Sequence, residues 1–135
     1  MYKYELVRDD EPINPREDDN IGKMICFHKR YHLGDKHSFR HDDYNSWDEM
    51  EAGVLRELGP GVVLPLYLYD HSGQSISTTP FGCPWDSGQV GFIYASKADI
   101  LREYGGKILT KKKKEQAISL LIGEVNTYDT YLRVS

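Results

Sequence analysis

The 135-residue sequence lacks the marks of several protein classes. It has two cysteines, Cys26 and Cys83, so free buried thiols are expected and a bridge between them is the alternative. No apolar run is long enough to span a bilayer and no secretory leader pattern is visible, which predicts a cytoplasmic protein without a membrane partner. The net charge of −4 argues against direct, specific nucleic-acid binding.

Established catalytic motifs are also missing. The sequence contains no G-x-G-x-x-G, no P-loop, no G-x-S-x-G, no C-x-x-C and no H-E-x-x-H. No cofactor is therefore predicted. Composition and spacing indicate an architecture and a candidate surface, and they name no activity.

The pattern of apolar residues predicts a single α+β domain over residues 1–135. We expect an antiparallel or mixed sheet of about four to five strands, packed by two or three helices. The predicted strands are residues 2–8, 21–27, 62–69, 74–79 and 88–95. In the third of these, Pro65 predicts a strand start or a bulge, because proline has no backbone donor.

Capping residues predict where the helices begin. Ser46 and Glu49 form a capping box for a helix over residues 47–57, and Ser96 caps a short helix that ends near residue 104. Thr110 precedes a longer helix to about residue 132, whose apolar residues recur at spacings of three and four. Gly123 in its middle predicts a close approach to another element.

The stretch over residues 62–95 carries the densest chemistry. A turn at residues 70–73 joins two of its strands. The loop at residues 79–88 holds two prolines, two glycines, a tryptophan, a cysteine and an aspartate, which is typical of a built site. One hypothesis is a catalytic set in which Cys83 is the nucleophile, His71 the base, and Asp70 or Asp86 the orienting acid.

Histidines cluster before the first helix, with four of the five lying within residues 28–41. A small metal-dependent enzyme is therefore an alternative, although the spacing matches no strong metal signature and no metal is predicted. A third hypothesis is nucleotide binding by the lysine run at residues 111–114 together with the turn at residues 70–73. The candidate ligands for a metal would be His28, His32, Asp35, His37, Asp70 and His71.

An acidic segment at residues 9–20 and the aromatic residues of the loop at residues 79–88 form the predicted partner-binding surface. Carboxylates would compete for a cationic nucleic-acid channel of a partner, and Trp85 would anchor in a pocket. The solvated-loop interpretation of the acidic run remains the alternative. The predicted contact residues are Asp9, Asp10, Glu11, Glu17, Asp18, Asp19, Phe81, Trp85 and Asp86.

Six strings give the sequence a resemblance to a known group. They are YELVR (4–8), DNIG (19–22), CFH (26–28), YHLGDKH (31–37), PLYLYDHSG (65–73) and CPWDSGQVG (83–91). They resemble an uncharacterised family of small proteins carried by phages and mobile elements of bacteria. The resemblance implies a phage product in the host cytoplasm, and such products often inhibit host defence, as anti-CRISPR proteins do. We therefore expect a non-enzymatic protein that binds a host defence nuclease.

Overall fold

A four-stranded antiparallel sheet is the centre of the fold in a computed structural model, which describes residues 13–17, 19–28, 31–71, 73–83 and 85–134. The spatial order of its strands is β1-β4-β2-β3. The prediction of an α+β domain is confirmed, with four strands and a purely antiparallel sheet in the described ranges. The expected strand at residues 2–8 lies outside them. The strands are β1 (Lys23–Cys26), β2 (Gly61–Asp70), β3 (Gln74–Ser77) and β4 (Ser87–Ser96).

Helices cover both faces of the sheet. They are α1 (Trp47–Leu58), α2 (Lys97–Tyr104) and α3 (Lys111–Val134), with single 3-10 turns at Pro15–Glu17 and His41–Asp43. Ile93 of β4 packs in the core with Leu121 of α3, whereas the next residue, Tyr94, packs with Val54 of α1 on the opposite face. Successive strand side chains point to opposite faces, so a strand covered on both sides reads as a continuous apolar run.

The helix ends follow the capping residues. Ser46 Oγ accepts a hydrogen bond from the Glu49 amide at 3.1 Å, and Ser96 Oγ accepts one from the Asp99 amide at 3.0 Å. Helix α1 ends at Gly59, whose φ of +94° suits a residue without a Cβ. The close approach expected at Gly123 is wrong, because a Cβ there would meet nothing within 4 Å.

A β-bulge bends the central pair of strands. The register of β2 against β4 shifts between Leu66 and Tyr67, so that Val90 has no residue opposite it on β2. The bulge lies next to Pro65, which pairs with Phe92 of β4. Strand β3 pairs with β2 only from Tyr67 onward. On that side of β2, no described strand pairs with Pro65, so the missing N–H of the proline leaves no strand-to-strand hydrogen bond unmade.

Both edges of the sheet are covered. Outside β1, Gly34 bridges Ile25, and the Met24 amide donates to Asp35 Oδ2 at 2.7 Å. Outside β3, the Ile76 amide donates to Asp129 Oδ1 of α3 at 2.9 Å. Covered edges do not offer a template for an added strand. None of the helices in the described ranges combines the length and the apolar character that crossing a bilayer requires.

Candidate functional site

The turn after β2 and the loop before β4 meet at one end of the sheet. The Asp70 amide donates to the Asp86 carbonyl at 2.8 Å, and His71 Nδ1 lies 3.2 Å from Asp86 Oδ2. Trp85 stands beside them with 90% of its surface exposed. The Phe81 ring packs against Tyr69 at 5.7 Å between centroids. We call His71, Phe81, Trp85 and Asp86 the tip surface.

The histidine-bearing segment docks beside this tip surface. His28 Nε2 lies 3.8 Å from Asp70 Oδ2, and His28 Nδ1 accepts a hydrogen bond from the Tyr31 amide at 3.3 Å. The His28 and Tyr31 rings are 4.8 Å apart between centroids. Three segments of the chain therefore meet at the end of the sheet where β2 ends and β4 begins.

The predicted catalytic set has an unfavourable order. Cys83 Sγ lies 3.8 Å from Asp86 Oδ2, the same oxygen that contacts His71, so the carboxylate stands between the thiol and the imidazole. A nucleophile–base–orienter set needs the imidazole next to the thiol. The geometry therefore gives no support to cysteine catalysis. Ser72 and Pro84, which flank this group in the sequence, lie outside the described residues.

The histidines are not placed to share a metal ion. Among the described residues, no group of three His, Cys, Asp or Glu side chains is placed to hold a metal. His37 uses both ring nitrogens, because Nδ1 accepts from the Phe39 amide at 3.2 Å and Nε2–H donates to the Cys26 carbonyl at 2.9 Å. His32 is exposed. The two cysteines are free, with Cys26 buried and Cys83 partly exposed.

The described acidic residues lie away from the tip surface. Glu17 and Asp19 are exposed and precede β1, whose first residue, Lys23, pairs with Tyr94. Tyr94 is seven residues along β4 from Ser87, a distance of roughly 23 Å at the rise of an extended strand. Glu17 and Asp19 therefore lead into one end of the sheet, whereas Phe81, Trp85 and Asp86 lie at the other. Asp9, Asp10, Glu11 and Asp18 lie outside the described residues.

A buried arginine, which the sequence does not reveal, fixes the acidic segment. The Arg16 side chain is 3% exposed and lies 2.8 Å from Asp35 and 3.2 Å from Glu124. Glu124 also accepts from the Ile21 and Gly22 amides. Burial alone would lower the pKa of Arg16, but the hydrogen bonds and charges of Asp35 and Glu124 outweigh it and raise the pKa.

The lysine run does not meet the turn at residues 70–73. It begins α3, whereas Asp129 near the other end of that helix accepts a hydrogen bond from Ser75 Oγ at 2.7 Å. Seventeen residues of helix separate Lys112 from Asp129, or roughly 25 Å. The described geometry therefore assembles no nucleotide site from these two segments.

A second concave feature lies between the histidine segment and α1. It is a cleft of about 990 Å³ whose floor is aromatic. We define the aromatic cleft by its floor of Phe27, His37, His41 and Trp47, and by Asn14, Lys36 and Gln89 around it. No local sequence signal joins these residues, which come from the acidic segment, the end of β1, the histidine segment, α1 and β4.

Comparisons of the chain with family models, with curated proteins and with solved structures found no match.

Proposed function

We propose that this chain is a phage-borne interaction protein that binds and inhibits a host defence nuclease, in the manner of an anti-CRISPR protein, in the cytoplasm of the bacterial host. The observation that carries the proposal is Trp85, which is 90% exposed in the loop before β4, where backbone and side-chain bonds of Asp86 hold the loop to the end of β2. Tryptophan is the residue most often found as an anchor at the centre of protein interfaces. A large exposed ring on a fixed support costs little conformational entropy when it binds.

The surroundings of Trp85 favour a protein partner with cationic groups. Asp86 is partly exposed next to it, and Glu17 and Asp19 add an exposed acidic patch at the other end of β4. The whole chain carries a net charge of −4. Nucleases hold their substrates in positively charged channels, and acidic groups on an inhibitor would compete for the same cations.

The covered edges of the sheet favour recognition through side chains. Asp129 occupies the outer edge of β3, and Gly34 and Asp35 occupy that of β1. A partner therefore gains little from adding a strand to the sheet. Recognition would depend on the side chains of the tip surface, with Trp85 as the anchor and the acidic patch as a second contact.

The experiment is a plaque assay on bacteria that carry an active CRISPR nuclease, with this chain expressed in the cell. The wild-type chain is expected to restore plaques, and affinity capture from the same cells to retain the nuclease. Trp85→Ala is expected to weaken binding about 30-fold or more, the effect of losing an interface anchor. Ile108→Ala, which removes a 72% exposed side chain from the loop before α3, is the matched control and should bind normally.

Two outcomes contradict this proposal. One is that no plaques form on any strain that carries an active CRISPR nuclease, although the folded wild-type chain is expressed in it. The other is a retained nuclease whose binding is unchanged by Trp85→Ala and Asp86→Asn, which would place the contact on another surface.

A further inference from the structure

The aromatic cleft has the size and lining of a small-molecule site. Its volume of about 990 Å³ lies at the upper end of the range for ligand pockets, about 300–1,000 Å³. The rings of Phe27, His41 and Trp47 lie 5.2 to 6.3 Å from one another between centroids. Their planes are inclined to one another by 54° to 68°, and an aromatic lining of this kind suits another ring system better than a branched aliphatic group.

The floor is held in place from below. Trp47 packs edge-on against the buried Phe92 at 5.8 Å and is the first residue of α1, directly after the Ser46 cap. His37 is fixed by its two hydrogen bonds and meets Phe27 edge-on at 4.9 Å. A pre-organised floor of this kind loses little side-chain entropy when a ligand binds.

Two amide side chains in the lining have hydrogen-bonding capacity to spare. Asn14 Oδ1 accepts from the Arg16 amide at 2.9 Å, which leaves its NH₂ group as a donor. Gln89 Nε2 donates weakly to the Gly91 carbonyl at 3.4 Å, which leaves its oxygen as an acceptor. Neither amide side chain has a second hydrogen-bond partner among the described residues. A donor and an acceptor beside aromatic rings match the edge of a nitrogen heterocycle.

One cationic side chain at the cleft, Lys36, is available to bind an anionic group of a ligand. Lys36 is exposed at the cleft and forms no ion pair with the described residues. Asp35 is already paired with Arg16 and the Met24 amide. Asp42 is exposed beside His41 and would repel an anion from that side, so the anionic group of a ligand would lie toward Lys36.

We propose that the aromatic cleft binds a planar nitrogen heterocycle that carries an anionic group, of which a purine nucleoside monophosphate is the simplest example. The ring stacks on the His41 and Trp47 side of the floor, the amides of Asn14 and Gln89 read its edge, and Lys36 binds the phosphate. This site uses none of the residues of the tip surface. It is independent of the proposed inhibition of a nuclease.

The test is a titration of the full chain with AMP. In a Trp85→Phe background Trp47 is the remaining tryptophan, because the sequence has two. AMP is expected to quench its fluorescence saturably and to shift the NMR signals of the Trp47 indole and the His41 ring. Lys36→Ala in the same background should raise the Kd about tenfold, which is the effect of losing a hydrogen bond to a charged group. Lys97→Ala, an exposed lysine at the start of α2, is the matched control.

Four outcomes overturn the inference. They are the absence of saturable quenching at millimolar AMP, equal shifts with inorganic phosphate alone, equal affinity for adenosine, and equal weakening by Lys36→Ala and Lys97→Ala. The second would show a phosphate site without ring recognition, and the third would remove the role of Lys36. Circular dichroism of each variant establishes that the fold is kept.

Discussion

Arg16 and Asp35 form a bidentate ion pair, with Nη2 2.8 Å from Oδ2 and Nε 3.3 Å from Oδ1. The same guanidinium donates to the Gly22 carbonyl and to Glu124, so one side chain ties the acidic segment to β1 and α3. Arg16→Met leaves two carboxylates facing each other without their cation. We expect it to lower the free energy of unfolding by about 3–5 kcal/mol, measured by urea denaturation.

The control for this substitution is Arg56→Met, which changes an exposed arginine on α1. It should alter the free energy of unfolding by less than about 0.5 kcal/mol. Equal effects of the two substitutions would mean that the pair is not a determinant of stability.

Cys26 makes stability depend on pH in the alkaline range. Burial, with a smaller contribution from the charge of Asp35, raises the pKa of Cys26 to about 12 from an ordinary value of 9.0. Above pH 9 the unfolded chain loses this proton while the folded chain keeps it, so the unfolded state binds fewer protons and stability falls as pH rises. The expected loss is about 1.4 kcal/mol by pH 10, and Cys26→Ala should remove that part of the slope.

Urea denaturation at pH 7, 8, 9 and 10 measures this slope. Burial also raises the pKa of Tyr94 and of Tyr128, so comparisons above pH 10 would mix several groups. At pH 8 a thiol reagent should label the partly exposed Cys83 in the native chain and Cys26 only after unfolding. An unchanged slope in Cys26→Ala, or rapid labelling of both thiols, would contradict the burial of Cys26.

The fold could be predicted from the sequence because its signals are local. Ser46 and Ser96 mark helix starts within one turn of the hydrogen bonds they accept, and the apolar run of β4 reports directly that both faces are covered. Each α-helix and strand in the described ranges begins and ends within two residues of its expected bounds, whereas the two 3-10 turns were not predicted. Turn residues likewise predicted the turn at residues 70–73 and the loop at residues 79–88, which meet at the end of the sheet.

The rest of the site depends on contacts between residues far apart in the sequence, which local sequence patterns do not predict. Arg16 meets Asp35 and Glu124 across 19 and 108 residues of chain. The separation of Glu17 from Trp85 follows from the direction and length of β4, not from the composition of either segment. Gly123 was expected to mark a contact, but it lies on the exposed face of α3, and only the rotation of the helix decides that.

Alanine substitutions at two glycines should change the free energy of unfolding in opposite directions. Gly123 lies inside α3 with open space at its Cβ position, so Gly123→Ala should raise the free energy of unfolding by about 0.5–1 kcal/mol. A Cβ at Gly91 would overlap the carbonyl oxygen of Ile25 on the neighbouring strand, so Gly91→Ala should lower it by about 1–3 kcal/mol. Thermal and urea denaturation measure both. Stabilisation by Gly91→Ala would show that β1 and β4 are not packed as described.

Asp129 should be the main protection of the β3 edge. Its carboxylate accepts from Ser75 Oγ at 2.7 Å and from the Ile76 amide at 2.9 Å, and it is largely buried. Asp129→Ala leaves that amide without its partner, and we expect a loss of about 2–3 kcal/mol together with faster hydrogen exchange at Ile76. Ser75→Ala removes one of the two bonds and should cost less. Asn126→Ala, an exposed change one turn earlier on α3, is the control. If Asp129→Ala leaves the exchange rate of Ile76 unchanged, the carboxylate does not protect this edge, and strand addition at β3 would again be a possible mode of partner binding.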